Sequence, residues 1–135
     1  MTSIETLTIS SGSMLPVLDI GETVFLDASQ ISPQPGDIIA FKTLDQKAIV
    51  VHRLLSRHTV FDQTYLIQSP ETGTRPSVVP FERYLGKILL DDHKKNHEGF
   101  EWRAITMQER LRASRVFWRF IIANTLKRFF SGHKH

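Results

Sequence analysis

The chain has 135 residues, 41% of them apolar, 23% charged and 10% aromatic, and it contains no cysteine. That composition suits one globular core and excludes a disordered chain, a disulfide scaffold, thiolate catalysis and cysteine-based zinc sites. The net charge of +3 is unevenly spread: residues 104–135 hold seven Lys/Arg against Glu109 alone, while the remainder is mildly acidic, so the C-terminal segment calls for an anionic partner.

Residues 5–10 and 23–27 alternate polar and apolar, with Leu7 and Ile9, then Val24 and Leu26, on one face, which is the period of a strand. Ser32-Pro33-Gln34-Pro35-Gly36 is a loop, and Pro35-Gly36 suits the centre of a type II turn that launches a short apolar strand over 37–42. Asp37 orders that turn. After a polar break at 43–47, residues 48–57 are rich in β-branched residues and leucine, and a further strand covers 60–68 with Asp62-Gln63 as a hairpin interruption. Residues 69–80 hold three prolines and a glycine and predict irregular chain. A strand over 83–90 and a solvated turn over 91–99 complete a β domain spanning 1–104.

The pattern changes after Arg103. Thr106-x-x-Glu109 has capping-box spacing, and neither Gly nor Pro appears from there to Gly132. Met107, Leu111, Trp118, Ile121, Ile122 and Phe129 fall on one stripe at 100° per residue, with Phe117 on its flank and Arg112, Arg119 and Lys127 pointing away. This predicts a basic amphipathic helix over 105–131. Uninterrupted apolar runs stop at four residues, short of the roughly 20 needed to span a bilayer. The first ten residues offer no basic or apolar signal region. The expectation is a cytoplasmic chain, peripheral at the inner face of the membrane if the helix over 106–130 lies on anionic lipid. No nucleic-acid module is recognisable, so nucleic acid is disfavoured as a partner.

Chemistry concentrates in Ser11-Gly12-Ser13-Met14-Leu15-Pro16. A serine hydroxyl becomes a nucleophile when a neighbouring base takes its proton and donors hold the oxyanion. Gly12 lets another chain approach the backbone, Pro16 stiffens the exit, and Met14 and Leu15 anchor the loop. The candidate base is His52, which shares a strand face with Ala48, Val50 and Leu54, and apolar surroundings favour its neutral form. His93 and His97, spaced i,i+4 in a polar turn without a third ligand, read as solvated rather than metal-binding, and no metal or cofactor is expected.

The order of these boxes, Ser-Gly-Ser-Met-Leu-Pro, then Pro-Gly-Asp-Ile-Ile-Ala-Phe, then Val-Val-His-Arg-Leu-Leu, then Tyr-Leu-Gly-Lys-Ile, resembles the type I signal peptidases over roughly residues 7–90. More narrowly it resembles their Ser/His branch, without the N-terminal membrane anchor. The resemblance implies a mainly β peptidase fold shared with the self-cleaving LexA-type repressors. It also implies Ser13 as nucleophile, His52 as general base, and Ser11 with the Ser13 amide as oxyanion hole. Met14 and Pro16 then border the substrate, which is a precursor or leader peptide or a preprotein. The family places a Gly-Asp box after the strand that follows the histidine; here the chain reads Gln68-Ser69-Pro70-Glu71, leaving Glu71 as the candidate supporting acid. The missing aspartate motivates an alternative, a degenerate peptidase fold that binds peptides or acts as a membrane-associated accessory.

Overall fold

The computed structural model describes residues 4–10, 12–15, 17–71, 75–90 and 101–132, with side chains of the last helix described as far as Lys127. Strands β1 (Ile4–Thr8), β2 (Thr23–Asp27), β3 (Ile38–Lys42), β4 (Ile49–Val60), β5 (Gln63–Ser69), β6 (Ser77–Pro80) and β7 (Tyr84–Leu89) form one seven-stranded sheet. Its order is β1-β2-β7-β3-β4-β5-β6, and every neighbouring pair is antiparallel. A 3₁₀ turn (Phe81–Arg83) precedes β7, and helix α1 (Met107–Gly132) closes the chain. The architecture is mainly β with one C-terminal helix.

Strand β3 is central, and its sequence says why: Ile38, Ile39, Ala40 and Phe41 are all buried, so both faces are covered. Ile38 and Ala40 join Val24, Leu26, Ile88 and the loop residues Met14 and Leu18 on one face, while Ile39 and Phe41 join Leu54, Leu66 and Val79 on the other. Each such fully buried aliphatic side chain stabilises by about 1.5–3 kcal/mol before the ordering entropy is counted.

Two expectations from the sequence need correction here. Residues 77–80 are not irregular: β6 pairs with β5, Ser77 opposite Gln68 and Pro80 opposite Tyr65. Pro80 terminates this edge strand, where its missing N–H costs no ladder bond. The hairpin between β4 and β5 turns at Phe61-Asp62, one residue earlier than the Asp62-Gln63 expected, and both turn residues have positive φ (52° and 64°). Positive φ at both central positions of a two-residue loop is the type I′ arrangement, whose twist matches the strands it joins. Asp37 does order its turn, accepting a hydrogen bond from the Gln34 amide at 2.8 Å and facing Lys87 at 3.5 Å.

Leu55 follows Leu54 in β4 and so points to the opposite side of the sheet. Leu55, Ile67 and Val78 there receive Ala113, Phe117 and Ile121 of α1. Phe117 also stacks on His58, with ring centroids 4.1 Å apart. The capping box forms as expected: Glu109 N–H donates to Thr106 Oγ1 at 3.1 Å and Thr106 N–H to Glu109 Oε1 at 3.0 Å.

The face of α1 that meets the sheet is a third correction, to the stripe read from sequence. Of that stripe, Ile121 is partly buried, whereas Met107, Leu111, Trp118 and Ile122 are exposed; the side chain of Phe129 lies outside the described residues. The seated face is about a third of a turn away, centred on Ala113 and Phe117. The reason lies at the helix entry. Arg103 grips Glu109 through two 2.7 Å bonds and reaches Glu71 at 3.2 Å, which sets the rotation of the first turn. Ala113, with no bulk beyond Cβ, then lets the helix approach the sheet, and Phe117 fills the contact.

Candidate active site

Ser13 sits in a tight turn, with the Leu15 amide bonded to the Gly12 carbonyl at 3.1 Å and the Leu18 amide to the Met14 carbonyl at 2.9 Å. Met14, Val17 and Leu18 pin this turn into the core, all at most 5% exposed, whereas Leu15, expected as an anchor, is exposed. Ser11 and Pro16 lie outside the described residues.

Ser13 and His52, distant in sequence, line one groove of about 360 Å³ together with Leu7, Ile9, Met14 and Val50. Its two banks are strand edges. Among the described residues, β1 is an edge strand bonded only to β2. On the other bank, Ile49–His52 pair with β3 on one side, while β5 begins its pairing at Arg53, so among the described residues the opposite edge of Ile49–His52 carries no strand. An extended peptide can therefore lie between two backbones that still offer N–H and C=O groups.

The partner of His52 is a residue the sequence reading did not single out. His52 Nδ1 lies 2.5 Å from Gln68 Oε1, and Gln68 Nε2 donates in turn to Ser77 Oγ. Register explains the meeting. Gln68 pairs with Leu54 on one side and Ser77 on the other, and His52 is two residues from Leu54 on the same face of β4. Because the amide nitrogen is held by Ser77, its oxygen faces the ring and accepts a hydrogen bond from Nδ1–H, which leaves Nε2 of a neutral ring as an acceptor. Burial pushes the His52 pKa below its ordinary 6.5, and the bond to Gln68 opposes that in smaller measure. Phe41 meets the ring edge-on at 5.9 Å.

Glu71, the candidate supporting acid, faces elsewhere. It accepts from Arg53 Nε at 2.5 Å and from Arg103 Nη2 at 3.2 Å. Arg53 is fully buried and also donates to the Gly36 carbonyl at 2.8 Å, so the arginine beside the candidate base ties β4 to the Pro-Gly turn. A buried guanidinium needs a carboxylate close by, and that requirement commits Glu71. The sequence signal for Gln68 was its place in Gln68-Ser69-Pro70-Glu71, the stretch that stands where the resembled family has its Gly-Asp box. A glutamine so placed is otherwise indistinguishable from a solvated one.

Among the described residues no group of three His, Asp or Glu side chains is placed to hold a metal. No family model, curated protein or solved structure matches this chain.

Proposed function

We propose that the protein is a serine endopeptidase of signal-peptidase-like type, with the corresponding peptidase fold, that cleaves an extended precursor or leader peptide. The observation that carries this reading is the convergence of Ser13 and His52 on one groove between two open strand edges. In the proposed reaction the peptide pairs with these edges, and His52 Nε2 takes the Ser13 hydroxyl proton as Oγ attacks the scissile carbonyl. The tetrahedral intermediate collapses with the same proton passing to the leaving amine, and an acyl-enzyme remains. Water, deprotonated by His52, then releases the acyl group and restores Ser13. Gln68 keeps the ring in the tautomer this sequence requires.

A second reading, a peptide-binding accessory that no longer cleaves, draws on the same amide: Gln68 is uncharged and offers less to an imidazolium than the aspartate of the resembled family. One experiment separates them. The purified chain is incubated with a library of extended peptides, and cleavage is followed by mass spectrometry. Cleavage that falls by a factor on the order of 10³ or more in Ser13→Ala supports the enzyme. Peptide retention without cleavage by both proteins favours the accessory, and cleavage unaffected by Ser13→Ala excludes this site.

A further inference from the structure

Helix α1 has two apolar faces, and the sheet uses one. Met107, Leu111, Trp118, Ile122 and Leu126 remain between 51% and 68% exposed while Ala113 and Phe117 are buried against β4–β6. At 100° per residue Met107, Trp118, Leu111 and Ile122 fall in one stripe within about 60° of one another; the exposed Arg115 stands between Ile122 and Leu126, and Arg119 and Arg112 lie just beyond Leu126. A second element adds to it. Phe61, 81% exposed at the β4–β5 hairpin tip, borders a cleft with Ile121, Asn124 and Thr125 of the same helix. Its φ of 52° is unusual for an aromatic residue, and no core contact accounts for a phenyl ring at that position.

We propose that this stripe, with Phe61 beside it, is a docking surface for an anionic lipid bilayer. The chemistry selects that occupant. An indole and four aliphatic side chains on one side of a helix, bordered by guanidinium groups, match the apolar-to-charged gradient of a headgroup region. The excess of positive charge over residues 104–135 is complementary to acidic headgroups. A second copy of the chain would bring the same arginine row against itself, and a nucleic acid would leave the apolar stripe unused. No described helix is long and apolar enough to cross a membrane, so α1 would lie in the interface plane. This proposal does not depend on the peptidase reading.

The test uses the full chain and vesicles of phosphatidylcholine with and without phosphatidylglycerol, read by co-sedimentation and by the emission of Trp118 in a Trp102→Phe background. Binding that requires phosphatidylglycerol, weakens with salt and shifts Trp118 emission to the blue is the expected result. The pair Arg115→Gln/Arg119→Gln should weaken it by about tenfold to thirtyfold, and Leu111→Ser/Ile122→Ser by at least as much. All four side chains are exposed, and circular dichroism confirms that each variant stays folded. Vesicle binding that is absent, or equal in both variants and wild type, overturns the proposal. So does a dimer in solution that Leu111→Ser/Ile122→Ser dissociates, because a second copy would then cover the stripe.

Discussion

At His52 two influences oppose each other: burial lowers the pKa of the ring and the hydrogen bond to Gln68 raises it, with burial the larger. The ring therefore stays neutral to a lower pH than a free histidine. If His52 is the base, the acid limb of kcat/KM lies below 6.5, and Gln68→Glu moves that limb upward because a carboxylate stabilises the imidazolium. Gln68→Ala should cost about tenfold or more in kcat, less than the 10²–10⁴ of a general base itself, through loss of ring orientation. A pH profile that none of these changes moves would remove His52 from the chemistry. Glu71 makes a contrasting prediction. Glu71→Ala strands the buried Arg53 charge and should lower unfolding stability by about 3–5 kcal/mol in urea titration. The contrast shows where residue-level reading stops. Ser13 and His52 stand out in the sequence because a hydroxyl and an imidazole are the residue types that nucleophilic catalysis uses, and the structure brings both to one groove. The exchange of roles between Gln68 and Glu71 depends on strand register and on the needs of a neighbouring arginine.

Elements were legible in proportion to how much of their own pattern decides them. β2, β3 and β7 emerge from alternation or from short apolar runs, and α1 from its capping box and the absence of breakers. β6 did not, because prolines at 76 and 80 mask a strand of four residues that exists by pairing with β5. The rotation of α1 was hidden for a related reason: its stronger apolar stripe faces outward, and the Arg103–Glu109 clasp seats the weaker one. The β4–β5 hairpin carries a testable cost. Phe61 and Asp62 occupy the left-handed region, where residues with a Cβ are disfavoured by roughly 1–2 kcal/mol. Phe61→Asn with Asp62→Gly supplies the usual type I′ pair and should raise stability by about 1 kcal/mol, visible as a higher melting temperature. An unchanged or lower melting temperature would show that Phe61 makes a stabilising contact that offsets its backbone.

For the molecule as a whole, the clasp of Arg53, Glu71, Arg103 and Glu109 joins sheet to helix. Hydrogen bonds from Arg103 hold Glu109 at a pKa of about 2, below its ordinary 4.5. A carboxyl depressed on folding contributes stability that is complete above about 4.5 and is lost as pH falls through about 2. Acid unfolding should therefore steepen in that window, and Glu109→Gln should flatten it when followed by circular dichroism. Solvent access to Glu109 keeps the effect modest.

The same clasp decides how the C-terminal segment can be dissected. Cutting the chain at residue 105, where composition changes most sharply, removes Glu109 from Arg103 and leaves Leu55 and Ile67 without Phe117 above them. Arg53, whose guanidinium shares Glu71 with Arg103, sits next to His52 in β4. A truncated protein that lost both vesicle binding and proteolysis would thus report damage spreading along one strand, and would not reveal which activity belongs to the helix. Point substitutions on its outward stripe keep the clasp intact and the two questions apart.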